Sequence, residues 1–180
     1  MLPPVPTTRP DINLEGKFRE TTSGEPFLQA EDGDINKILN FTTADNISHL
    51  CNADRIYCDG TFYTAPPIGS AMFSLLFTLL PKRDKHTYTR LFTLLKEICQ
   101  RHNQTFSPTS VSLDFECASR NATVEAFQAA ALEGCLFHYC KAIWKQTQEF
   151  GLQRDYKDLP DVNKLVRRAA ALPLLPLDKV

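Results

Sequence analysis

The sequence predicts an α/β (α+β) protein. Three observations carry that expectation. Short β-prone runs alternate with helical patterns from about residue 85 onward. Tyr88, Leu91, Phe92, Leu95, Ile98 and Cys99 recur at helical spacing and form the apolar stripe of one packed helix. Two apolar, β-prone runs, residues 55–63 and 109–115, carry an acid near the end, Asp59 in the first and Asp114 in the second.

The elements follow in order. Residues 1–24 are proline-rich and aperiodic and read as an extended lead-in. Residues 27–29 and 37–41 are short β-like pieces around the acidic turn Glu31-Asp32-Gly33-Asp34. Residues 44–51 allow one or two helical turns with Asp45 near the cap. In the 55–63 strand, Asp59 shares a face with Tyr57, and Ile56 and Cys58 take the other. Pro66, Pro67 and Gly69 force a turn, and residues 72–80 read as a strand buried on both faces.

Asp84 is the expected N-cap of the amphipathic helix. A strand over 109–115 and a helix over 117–131 follow, the helix with Val124 and Phe127 inward. Residues 132–137 read as a short strand. A helix over 138–150 is closed by Gly151, and a last helix over 161–172 is ended by Pro173.

Composition narrows the function. The chain has 180 residues, 43% of them hydrophobic, and a net charge of −1. That is an ordinary globular composition and lacks the strongly basic balance of a self-sufficient nucleic-acid binder. No apolar run reaches the roughly 18 residues of a membrane span, so no membrane role is expected. The N-terminus does not read as a signal peptide, and the six cysteines are expected to be reduced thiols.

Asp59 and Asp114 are the candidate site. Mid-strand aspartate is disfavoured, and two strand-borne carboxylates meeting in space can hold a divalent metal for phosphoryl-transfer chemistry. Glu116 reads either as a supporting or alternative ligand or as a surface acid opening the next helix, which the helix dipole favours. Cys135, His138 and Cys140 invite a zinc reading, but positions three apart in a strand face opposite sides, so Cys135 and His138 converge only if the chain turns helical between them. Basic residues cluster at Lys82, Arg83, Lys85 and Arg90, at Lys141 and Lys145, and at Lys164, Arg167 and Arg168. Each cluster reads either as a phosphate contact or as a solvated helix face.

An ordered set of motifs runs almost end to end: Leu2-Pro-Pro-Val-Pro, Gly24-Glu-Pro-Phe, Cys58-Asp-Gly-Thr-Phe, Ala65-Pro-Pro, Leu79-Leu-Pro, Thr87-Tyr-Thr-Arg-Leu-Phe, Asp114-Phe-Glu, Gly134-Cys-Leu-Phe-His and Leu175-Pro. The set resembles the catalytic domain of Mutator-like element (MULE) transposases. The resemblance implies a ribonuclease H-like mixed sheet bearing a DDE acidic triad, two Mg²⁺ ions and cleavage and transfer of DNA strands, with DNA as partner and the nucleus as location. It implies Asp59 as the first acid, Asp114 as the second, and Cys135 and His138 as the C-x-x-H motif.

The family pattern also implies a third acid further downstream, which has no counterpart here, and a second strand between Ala65 and Leu79. Residues 68–80 have room for one good strand. The expectation is therefore a truncated catalytic domain over 53–180, preceded by a lead-in with small elements over 1–52, lacking one strand and inactive alone. The alternative is a non-catalytic DNA- or protein-binding module.

Overall fold

The computed structural model describes residue 8, residues 11–59 and residues 74–176. It is a mixed α/β protein with two small sheets and, among the described residues, six α-helices. The chain divides into two compact units, Met1–Leu132 and Glu133–Val180.

In the first unit, β1 (Leu28–Asp32) and β2 (Ile38–Phe41) form an antiparallel hairpin. Gly33 sits in its turn at φ +79°, a conformation that a side chain strains. An added Cβ there would also lie 3.0 Å from the Arg90 guanidinium, which pairs with Asp32. β4 (Phe77–Leu79) adds antiparallel to β2, and Thr78 Oγ1 donates to Asn40 Oδ1 at 2.8 Å.

The run over 72–80 was expected to be a strand buried on both faces. Its described part is a three-residue strand with Phe77 and Leu79 exposed, at the edge of the sheet among the described residues. Residues 72 and 73, the 60–63 end of the expected first strand and the question of a missing strand fall outside the described residues.

The second sheet has the order β3-β5-β6, from β3 (Arg55–Cys58), β5 (Ser110–Leu113) and β6 (Ala131–Gly134). β5 is buried along its whole length. Ala131 N–H donates to Thr109 O at 2.9 Å where β6 opens. α1 (Ala44–Cys51) is capped by Thr43, whose hydroxyl accepts from Asn46 N–H at 3.2 Å, and Asp45 stands in its first turn.

α2 (Lys85–Arg101) starts where the sequence indicates. Asp84 Oδ1 accepts from Thr87 N–H at 2.8 Å, satisfying an otherwise orphaned amide. Its Tyr88, Phe92, Leu95, Ile98 and Cys99 are buried against Ile47, Ile56, Val111, Leu113, Ala122 and Phe127. Each large side chain so buried contributes roughly 1.5–3 kcal/mol before entropy is charged against it.

α3 (Cys117–Ala126) is shorter than the 117–131 helix expected. Val124 is 49% exposed instead of inward, and Ala122 and Thr123 take the buried face. Phe127, the residue after the helix, is buried as expected and meets Phe92 and Phe106 edge-on at 5.3 and 5.1 Å.

The second unit is helical. α4 (Leu136–Glu149) is closed at Gly151, whose φ of +70° matches the expected glycine stop. α5 (Gln153–Asp158) was not anticipated, and α6 (Pro160–Ala171) follows with proline at its first turn. Trp144 stacks edge-on to Tyr156 at 5.2 Å, and Tyr139 donates to Ala169 O at 3.1 Å.

Candidate metal and DNA site

β3 and β5 are parallel, with Arg55 opposite Ser110, Ile56 opposite Val111, Tyr57 opposite Ser112 and Cys58 opposite Leu113. The next residue on each chain is the acid. Asp59 and Asp114 therefore leave their strands at the same level, at the carboxyl ends of neighbouring parallel strands about 4.8 Å apart. The carboxyl ends of parallel strands are where open α/β sheets receive ligands. Two acids 55 positions apart in sequence are brought together by one strand pairing.

The turn after β5 is held from two directions. Glu116 N–H donates to Asp114 Oδ1 at 3.1 Å, which fixes the carboxylate against its own turn. Tyr88 Oη, from α2, donates to Glu116 Oε2 at 3.0 Å. Glu116 is at the N-cap position of α3, but its side chain makes no cap hydrogen bond. It belongs to the neighbourhood of Asp114 through Tyr88.

The electrostatics report the same grouping. Burial, the Glu116 hydrogen bond and charge, and the Asp114 charge push the Tyr88 phenol up to about 12, against an opposing pull from Arg83. Burial and then the Asp114 charge push the Cys58 thiol up to about 11. At neutral pH Cys58 is a thiol beside the carboxylates and not a thiolate ligand.

The donor set suits a hard cation. Magnesium is held by one or two carboxylates, keeps several waters and takes the rest from substrate phosphates. Asp59 and Asp114 supply two such carboxylates. Among the described residues there is no group of three or more His, Cys, Asp and Glu arranged to hold a metal ion.

Cys135 and His138 lie in the second unit, at the start of α4. The helix begins at Leu136, so Cys135 takes the N-cap position and His138 falls in the first turn. The chain does turn helical between them, the condition that lets them converge. Cys140 instead faces α6, with its thiol 3.8 Å from Ala170 O.

The basic clusters are partly neutralised. Arg90 pairs with Asp32, Lys85 with Glu125, and Lys145 with Glu149 at 3.5 Å. Lys141, Lys164, Arg167 and Arg168 are exposed. No described helix is long and apolar enough to cross a membrane.

Residues 65–142 match the family described as MULE transposase domain. The matched stretch includes Asp114, Cys135 and His138 and begins after Asp59. It covers under half of the chain. The match points to a transposase-related function, and a domain of that kind works on DNA. No curated protein and no solved structure matches the chain.

Proposed function

We propose that this chain is part of a MULE-type DNA transposase and carries two carboxylates of a ribonuclease H-like, DDE-type site, working in the nucleus. The observation that supports the reading best is the parallel register of β3 and β5, which sets Asp59 level with Asp114. In such a site Asp59 and Asp114 would hold Mg²⁺, and the ion would supply Lewis-acid stabilisation of phosphoryl transfer. The Glu116 amide and Tyr88 orient the Asp114 turn. No third acid of the triad is assigned among the described residues, and we infer that this chain by itself holds metal and DNA without cutting or joining strands.

The test is a Mn²⁺ titration followed by electron paramagnetic resonance, alongside a plasmid-nicking assay. Binding should be weakened at least tenfold by Asp59→Asn and by Asp114→Asn, with the plasmid left intact. Unchanged Mn²⁺ affinity in both variants would remove the metal site. Nicking that disappears in Asp59→Ala would overturn the inactivity.

A second reading is a transposase-derived module that binds DNA without metal. The observation favouring it is that the described acids, histidines and cysteines make no three-ligand group. Its signature is salt-sensitive DNA binding that survives both substitutions and addition of a chelator.

A further inference from the structure

We infer that one face of α4 is a binding site for single-stranded DNA, with Phe137 and Trp144 stacking on unpaired bases and Lys141 and Lys145 holding phosphates. The inference rests on the reading of the chain as part of a DNA-acting transposase, and it uses none of the residues of the Asp59–Asp114 edge.

The helix sorts its side chains onto two sides. One side is packed. Tyr139 Oη donates to Ala169 O at 3.1 Å, the Cys140 thiol lies 3.8 Å from Ala170 O, and Thr147 is buried. Phe137, Lys141, Trp144, Lys145 and Gln148 follow one another at steps of four, three, one and three. At 3.6 residues per turn that spacing gathers them into one stripe on the other side. All five are exposed. Phe137 is 44% exposed and Trp144 37%.

The stripe suits a polyanion with flat apolar faces. No acid occurs between Glu133 and Glu149, so no like charge opposes a phosphate there. Glu149 does pair with Lys145 at 3.5 Å, but both side chains are exposed, and such a pair is weak enough for a phosphate to replace it. Residues 133–180 carry eight basic and six acidic residues, while the whole chain has a net charge of −1, so the basic balance sits in this unit.

The spacing fits a strand. Lysines four apart on a helix have Cβ atoms about 6 Å apart on one face. Rings seven residues apart stand about 10 Å apart along the axis, roughly three base steps. Each ring is already held by a neighbour: Trp144 meets Tyr156 edge-on at 5.2 Å, and Phe137 meets His138 at 5.5 Å. Rings held in advance cost less to order on binding. In a duplex the base faces are stacked on each other and closed to an outside ring. Unpaired bases offer them, and base–aromatic stacking tolerates any sequence. The occupant is therefore a single strand.

The experiment uses the full chain and an oligothymidylate of about twenty nucleotides, in EDTA. Trp144 is the chain's only tryptophan, so intrinsic fluorescence reads the stripe itself. The oligonucleotide should quench it, and added salt should reverse the quenching. Lys141→Gln combined with Lys145→Gln should weaken binding at least tenfold and reduce the salt slope by about 1.4, at about 0.7 per phosphate contact. Trp144→Leu, followed by the anisotropy of a labelled oligonucleotide, should bind about fivefold more weakly or worse.

Any of five results would overturn the inference: no binding, binding that leaves Trp144 fluorescence unchanged, a double lysine variant that binds like wild type, tighter binding of a duplex of the same length, or equal quenching by polyglutamate. The wild-type quenching and the surface lysine variant decide should Trp144→Leu fail to fold. The Mn²⁺ titration reads the metal site separately. Quenching without metal binding would remove that site alone, and metal binding without quenching would remove this inference alone.

Discussion

Cys58 lies opposite Leu113 in the parallel ladder, one residue before each of the two acids. That neighbour relationship makes Cys58 a reporter for Asp114. Burial is the larger cause of its raised pKa, and the Asp114 charge is the smaller.

The first prediction follows from that division. Asp114→Asn removes the smaller cause, lowers the Cys58 pKa and speeds its alkylation at pH 8. The acceleration stays below about tenfold, because less than one pKa unit is at stake. Site-resolved iodoacetamide kinetics would read it. A divalent cation held at Asp114 neutralises the same charge and should speed the wild-type reaction in the same direction. Alkylation at Cys58 indifferent to both changes would separate the thiol from the carboxylate.

The second concerns Tyr88 and alkaline pH. Its folded pKa is about 12, above the unfolded value near 10. A raised pKa stabilises the fold below the unfolded value, and that contribution is lost as pH rises from about 10 towards 12. Wild-type stability should therefore fall over that window, and Tyr88→Phe should flatten the fall. At pH 7 the same variant costs about 1.5 kcal/mol, the low end for a hydrogen bond to a charged acceptor, because half-buried Glu116 can be rehydrated. Urea titrations at pH 7 and pH 11 test both parts. An identical alkaline slope in the variant would rule out the Tyr88–Glu116 link.

The third compares two neighbours in the α3 region. Phe127→Ala should cost about 3–5 kcal/mol, since it empties the space between Phe92 and Phe106. Val124→Ala should stay within about 0.5 kcal/mol, because Val124 is half exposed on the helix surface. Chemical denaturation of the two variants decides, and comparable costs would restore the inward placement of Val124.

That pair also shows how far the sequence could be read. α2 was legible because a long amphipathic period and Asp84 agree, and period is a local property. α3 was misread at Val124. The helix stops at Ala126, and its buried face is made of Ala122 and Thr123, small residues that carry no strong apolar signal. α5 went unseen because Gln153, Arg154, Asp155, Lys157 and Asp158 leave no stripe to find. The pairing of β4 with β2 joins residues 36 to 40 positions apart in sequence, and local pattern does not encode partners. The same holds for the site. Asp59 and Asp114 stood out as acids in β-prone runs, but their common level came from the register. The Tyr88–Glu116 bond, spanning 28 positions, left no trace in the sequence.

The last prediction concerns acid. Asp84 is held below the usual carboxylate range, first by the Thr87 backbone N–H and then by the Thr87 side chain. A depressed folded pKa gives stability that is present above the unfolded value near 3.9 and is lost as pH falls through the folded one. The wild-type chain should therefore lose stability with acid more steeply below about pH 4 than Asp84→Asn, which keeps an N-cap acceptor but cannot titrate. Asp84→Ala, which loses the acceptor as well, should be less stable than both at pH 7. Thermal melts of the three chains between pH 3 and pH 7 separate the cap from the charge. If Asp84→Asn keeps the full acid slope, the sensitivity belongs to another carboxylate, with Glu31, whose pKa is lowered first by its hydrogen bond to Lys37, the next to substitute.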